Sequence, residues 1–157
     1  MTSQKKALVL FYSRSGSTER MANIIADAIR GKSIDVKVER VDAIDLSLLP
    51  TYDAIAIGSP TYFSNIAWPV KKLIDESIVF YRSNQLSGKV AGIFASAGTE
   101  KDARDCLKML QIALGVHHGM RVVEGIVRAA AETDEETAMR CQEYGRKLAE
   151  AILKGQH

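Results

Sequence analysis

The stretch Ala7-Leu8-Val9-Leu10-Phe11-Tyr12-Ser13-Arg14-Ser15-Gly16-Ser17-Thr18 decides how the rest of the chain is read. An unbroken apolar run, with no polar alternation, suits a β-strand buried on both faces. It ends in a turn holding four hydroxyls, one glycine and one arginine. Behind the turn Met21, Ile24, Ile25, Ala28 and Ile29 recur on one helical stripe, which predicts a helix stopped by Gly31. A hydroxyl-rich turn between a buried strand and a helix N-terminus is an anion site, because backbone N–H groups and side-chain donors converge there.

The same pattern repeats outward. Val36, Val38 and Val41 alternate partly with charged residues, as an edge strand does. Tyr52 to Gly58 is another nearly unbroken apolar strand, and after a loop to Ala67 a helix begins at Trp68-Pro69 with Val70, Leu73 and Ile74 facing inward. Val90 to Ala95 is the next buried strand. The following helix carries Ala103, Cys106, Leu107, Leu110 and Leu114 on one stripe, with Gly115 as its expected stop. Val122 to Val127 reads as a fifth strand, and Thr133 with Glu136 forms a capping box ahead of a helix lined by Ala138, Cys141, Gly145, Leu148, Ala149 and Ile152. Five strands alternating with helices predict an α/β domain whose mostly parallel, doubly wound sheet is covered on both faces. Such sheets bind ligands beyond the carboxyl ends of their strands, which singles out the loops after the first, third and fourth strands.

Composition narrows the function. The chain has 157 residues, 21 Lys+Arg against 19 Asp+Glu, a net charge of +2 and 46% hydrophobic residues, proportions of one globular domain over 1–157. No clustered basic face suggests nucleic acid. No apolar run approaches the roughly 20 residues of a membrane span. The start Met1-Thr2-Ser3-Gln4-Lys5-Lys6 leads into an apolar run too short for a signal peptide, so the expected location is cytoplasmic. Cys106 and Cys141 are the only cysteines and form no metal motif, which predicts reduced core thiols and no metal site.

The turn Ser13 to Thr18 is neither a Walker loop nor a Gly-x-Gly-x-x-Gly dinucleotide turn. Gly31-Lys32-Ser33 has Ala26 where a Walker loop needs its first glycine, and only Gly16 stands in the first turn. Hydroxyls in place of glycines suit a terminal monophosphate dianion. The loop Gly58-Ser59-Pro60-Thr61-Tyr62-Phe63-Ser64-Asn65-Ile66-Ala67-Trp68-Pro69 gathers three aromatics at a strand's carboxyl end, where a planar heteroaromatic ligand stacks; Trp68 is equally compatible with plain packing.

On these residues the chain resembles the flavodoxin-like superfamily. Ser13-x-Ser15-Gly16-x-Thr18 is similar to its FMN-phosphate loop, Gly58 to Asn65 to its second flavin loop, and Gly88-Lys89-Val90 through Ala95-Ser96-Ala97-Gly98-Thr99 to its third. His117-His118-Gly119-Met120 resembles the segment found in tryptophan-repressor-binding-protein type NAD(P)H:quinone oxidoreductases. The resemblance implies a flavodoxin-like three-layer sandwich with a five-stranded parallel sheet in the order 2-1-3-4-5. It implies FMN as cofactor, with the phosphate on Ser13, Arg14, Ser15, Gly16, Ser17 and Thr18. The ring and ribityl chain fall on Pro60, Thr61, Tyr62 and Phe63 and on Ser96, Ala97, Gly98 and Thr99, with His118 as a catalytic residue at the ring's exposed edge. A bland alternative is that His117 and His118 only finish a helix whose negative end favours them.

The implied partners are NAD(P)H and a quinone, or a protein redox partner, with self-association into a dimer or tetramer. Three departures stand out. Arg128-Ala129-Ala130-Ala131-Glu132 replaces a longer Gly-rich insertion, Phe80 or Tyr81 replaces a tryptophan, and Ser15 replaces the aromatic before the loop glycine. The rival function is a flavodoxin-type electron carrier, and a net charge of +2 fits the strongly acidic character of such carriers poorly. A flavin-free scaffolding protein is a third class, which leaves the hydroxyl-rich loop without a purpose.

Overall fold

A computed structural model describes residues 3–155. Met1 and Thr2, part of the start read above for a leader, lie outside the described residues. The elements run β1 (Lys6–Phe11), α1 (Ser17–Arg30), β2 (Asp35–Arg40), a 3₁₀ turn (Leu46–Thr51), β3 (Ala54–Tyr62), β4 (Asn65–Ile66), α2 (Trp68–Glu76), α3 (Ile78–Tyr81), β5 (Val90–Ala97), α4 (Glu100–Gln111) with a π-helical extension (Ile112–His117), β6 (Arg121–Val122), β7 (Ile126–Ala129) and α5 (Asp134–Lys154). The sheet order is β2-β1-β3-β5-β6, with β7 also on β5 and every pairing parallel except the β3–β4 hairpin. Counting β6 and β7 as one interrupted strand gives the expected 2-1-3-4-5 order.

Alternate residues of the central strands feed two cores. Leu8, Leu10, Ile55, Ile57, Ala91 and Ile93 pack under α2 and α4, while Ala7, Val9, Phe11, Ala54, Ala56 and Phe94 pack under α1 and α5. Burial on both faces is why these strands read as continuous apolar runs. The buried face of α1 is Met21, Ala22, Ile25, Ala26 and Ile29, rotated slightly from the expected stripe. Helix α5 packs closely on its flank: a Cβ on Gly145 would lie 2.5 Å from Ala28 Cβ and 2.6 Å from Ile25 O.

Two expectations are corrected. The fifth strand is split at Val123-Glu124-Gly125. A Cβ at Gly125 would stand 2.6 Å from Ile93 O, and the Tyr144 hydroxyl fills the gap, accepting from Ile93 N and donating to Val123 O, both at 2.9 Å. Gly115 does not stop the fourth helix. The chain passes through it in π-helical turns and leaves at Gly119, whose φ is +70°. Gly115 is instead a close approach, since a Cβ there would meet Gln111 Nε2 at 2.7 Å and Val122 Cγ2 at 3.1 Å. Among the described residues no helix is long and apolar enough to cross a membrane.

Candidate functional site

All three predicted loops meet at the carboxyl edge of the sheet around a cavity of about 290 Å³. Ser13, Arg14, Ser15, Ser17 and Thr18 line it from the first loop, Pro60, Thr61 and Tyr62 from the second, and Ser96, Ala97 and Gly98 from the third. Gly16 makes the turn. Its φ of +98° is left-handed backbone that a side chain resists, and its N–H donates to Ser13 Oγ at 3.0 Å. No side chain caps α1, and its first backbone bond is Arg20 N to Gly16 O at 2.9 Å. The leading N–H groups of the helix are therefore open to an anion at its positive end.

The loops are fastened to one another. Thr18 Oγ1 and Ser96 Oγ share a buried hydrogen bond of 2.9 Å, tying the first loop to the third. Ser59 Oγ accepts from Ala67 N at 3.0 Å and donates to Pro60 O at 2.6 Å, which pins the strand end to the start of α2. Beyond it the second loop is a tight hairpin, Thr61 opposite Ile66 and Tyr62 opposite Asn65, with Phe63 and Ser64 at φ +54° and +62°. Ser64 Oγ donates to Asp102 Oδ1 at 2.9 Å and anchors the tip on α4. The turn leaves the Phe63 ring wholly in solvent, 103% exposed, and Tyr62 half-covered with the Arg14 guanidinium 6.0 Å from its ring centre.

Some predicted residues stand elsewhere. Thr99 caps α4, its Oγ1 accepting from Asp102 N, and does not face the cavity. His118 is at the opposite, amino edge of the sheet. Gly88 N bonds Gly119 O and Val90 pairs with Arg121, so β5, eight residues at about 3.3 Å each, separates His118 from Ser96–Gly98. A role for His118 at a flavin held by the same chain is thereby overturned: α4 starts at the carboxyl edge and carries whatever follows it to the other end.

His118 is buried against Ser77 and Tyr81. Ser77 Oγ gives its proton to Ile74 O at 2.6 Å, so at 2.9 Å it accepts from His118 Nε2, which assigns the Nε2–H tautomer. Burial, and then the neighbouring His117, push the His118 pKa below its ordinary value.

The sequence reading missed Arg128, Ala129 and Ala130, which close the cavity from the end of β7. They follow the fifth strand, and the rule that ligands sit at strand carboxyl ends reaches them too. Arg128 Nη2 lies 2.8 Å from Asp134 Oδ1; that hydrogen bond, ahead of the Arg20 charge, holds the Asp134 carboxyl below its usual range. One residue lining the cavity also carries an orphan. Thr61 Oγ1 is buried with no hydrogen bond of good geometry. The Cys106 thiol nearby is too weak a partner to satisfy it, and burial pushes that thiol's own pKa up.

Residues 8–135 match the family model of the flavodoxin domain. The chain belongs to the flavodoxin family. A flavodoxin of Clostridium saccharobutylicum is 35% identical over 121 residues, covering 76% of this chain and 73% of that one. An NAD(P)H dehydrogenase (quinone) of Chromohalobacter salexigens is 31% identical over 141 residues, covering 75% and 70%. A solved archaeal flavodoxin superposes with a TM-score of 0.82 at 29% identity, covering 94% of this chain and 99% of that one. A WrbA-like protein from Agrobacterium tumefaciens shares the fold, with a TM-score of 0.85 at 23% identity over 98% and 100% of the two chains.

The cofactor of this family is FMN, and the cavity's chemistry fits it. Open helix N–H groups and hydroxyls suit the phosphate, and an unsatisfied buried hydroxyl suits the polar ribityl chain or ring edge.

Proposed function

We propose that this flavodoxin-family protein is an NAD(P)H:quinone oxidoreductase that takes a hydride from the nicotinamide and passes two electrons to a quinone, giving NAD(P)⁺ and, with two protons, the hydroquinone. The observation that carries this reading is the open third loop. Ala97 and Gly98 place no bulk over the cavity, and even a Cβ on Gly98 would touch nothing within 4 Å, so a flat substrate has room beside the ring. The relative named as a quinone dehydrogenase supports the same reading.

Bound FMN supplies the hydride-accepting and electron-donating chemistry. The protein's part is placement. Ser13, Ser15, Ser17 and Thr18, with the N–H groups of α1 and the Arg14 charge, hold the phosphate and so fix the far end of the cofactor. Thr61 and Tyr62 would stand on one side of the ring and Ser96, Ala97 and Gly98 on the other, while Phe63, wholly in solvent, stays outside the cavity. The bond between Thr18 and Ser96 keeps these loops in register, so the site is organised before substrate arrives.

One specific observation favours a second reading, the electron carrier: the Clostridium saccharobutylicum flavodoxin is the more identical of the two curated relatives described. The two functions separate in one experiment. FMN-loaded protein bleached anaerobically by NADH or NADPH alone, and reoxidised by a quinone, is the enzyme; protein bleached only by dithionite or a reductase is the carrier. We further infer that copies associate through the amino edge, where Ile78 and Tyr81 line an apolar cavity and Val79 and Val116 are also exposed. Sedimentation of the purified protein at several concentrations tests this.

A further inference from the structure

A second cavity, of about 410 Å³, opens beside the flavin loops between the end of β2 and the start of α2. The two cavities meet at one peptide, Tyr12 lining the second and Ser13 the first. Val41, Ile44, Leu46 and Leu73 form an apolar floor. The mouth is aromatic and charged. Trp68, the only tryptophan of the chain, is 73% exposed at the first position of α2. Arg40 stands with its guanidinium 5.5 Å from the Tyr12 ring centre and 5.9 Å from that of Phe11, and Lys72 stands nearby on α2.

We propose that this cavity binds the adenosine phosphate half of a nicotinamide dinucleotide, with the base stacked on Trp68 and a phosphate on Arg40. The inference rests on the reading of the protein as an NAD(P)H oxidoreductase and names where that substrate's non-reacting half is held. Large exposed aromatics beside a concavity are stacking platforms, and one so placed leaves its apolar face unused in the free protein. Arg40 is always charged and presents a planar fork suited to phosphate. In the free protein that fork is occupied by Asp42, at 3.0 Å and 3.3 Å, and Lys72 by Glu76, at 2.5 Å. Both are solvent-exposed ion pairs of the weak kind, which a phosphate can displace.

The two carboxylates also decide the class of ligand. They leave the mouth without net positive charge, which disfavours a polyanion such as nucleic acid, and they offer acceptors for ribose hydroxyls. A single base with one or two phosphates and a free ribose hydroxyl satisfies all of these groups. Binding energy gathered here, away from the reacting atoms, would orient the nicotinamide in the neighbouring crevice.

Trp68 is its own reporter. FMN-loaded protein titrated with 2′,5′-ADP, 5′-ADP and adenosine should show saturable quenching of the tryptophan emission by both nucleotides, with adenosine at least about tenfold weaker because it lacks phosphate. Arg40→Gln should weaken both nucleotides about tenfold and leave adenosine unchanged; if that variant fails to fold, Lys72→Gln gives the same readout with a smaller loss. No saturable quenching up to about 5 mM overturns the inference, as does quenching that neither variant alters. The outcome is independent of turnover. Quinone reduction by NAD(P)H without a Trp68 response sinks this site while the enzyme reading stands, and nucleotide binding at Trp68 without any NAD(P)H oxidation sinks the enzyme reading while the site stands.

Discussion

The two edges of the sheet carry opposite chemistries on the same scaffold. At the carboxyl edge a cavity of about 290 Å³ is walled by hydroxyls, backbone N–H groups and the cations Arg14 and Arg128. At the amino edge a larger one, of about 490 Å³, is walled mainly by Ile74, Ile78, Tyr81 and Ala113, with the His117–His118 pair beside Ser77. Chain direction accounts for the contrast. In a parallel sheet every covering helix starts at the carboxyl edge and ends at the amino edge, so one edge collects unpaired N–H groups and positive helix ends while the other collects carbonyls and negative ends. Anion chemistry belongs to the first edge. The histidine pair belongs to the second, where Tyr81 packs edge-on to both rings at 6.4 and 6.1 Å.

If that division is right, the largest effect is on the phosphate. Riboflavin should bind more weakly than FMN by roughly 3–6 kcal/mol, the loss of two charge-assisted hydrogen bonds, and fluorescence titration giving equal affinities would break the comparison at its stronger end. Next in size is the brace between the edges. Tyr144→Phe strands Ile93 N and Val123 O and should lower stability by about 1–3 kcal/mol, several degrees in Tm, while FMN affinity stays within a factor of two or so.

A subtler variant is Thr61→Val, which reads the orphan hydroxyl through its sign. In the apoprotein it should be neutral or stabilising, because an unsatisfied buried oxygen is removed. In the FMN complex it should cost about 0.5–1.5 kcal/mol of affinity. A loss of apoprotein stability together with unchanged FMN affinity contradicts the role given to Thr61.

The smallest effect concerns His118. Its pKa is lowered on folding, by burial first and then by His117, so below the ordinary value of 6.5 the unfolded chain takes up the proton more readily than the folded one. Stability should therefore be complete above that value and fall as pH drops through it toward the folded pKa. His118→Gln should flatten this slope between about pH 7.5 and 5.5 without changing FMN affinity at any pH. A variant that weakens FMN binding instead would return His118 to the flavin edge.

What could be read from the chain follows the range of each interaction. The buried strands, the helix stripes and the capping box at Thr133 and Glu136 are local, so periodicity and capping chemistry reveal them. The phosphate turn was legible for the same reason: its donors lie within Ser13–Thr18. The placement of Phe63 was not, because its residue type favours stacking equally in a loop folded over the ring or turned outward. A hairpin turn with positive φ at two consecutive residues aims it at solvent.

By itself the sequence determined the α/β alternation, the parallel sheet and the three loops that meet at its carboxyl edge, because backbone sterics, hydrophobic period and right-handed crossovers leave little choice once strands and helices alternate. Only the tertiary structure decided which chemistry shares a cavity. It brought Arg128 from 110 or more positions away to the phosphate loop, a distance along the chain of roughly that order. It threaded the Tyr144 hydroxyl between two strands and carried His118 the full length of the sheet away from Ser96. Such contacts depend on how far a helix runs and where it exits, which here turned on a π-helical passage through Gly115 to Gly119. Local pattern has no access to that distance, and packing sets it.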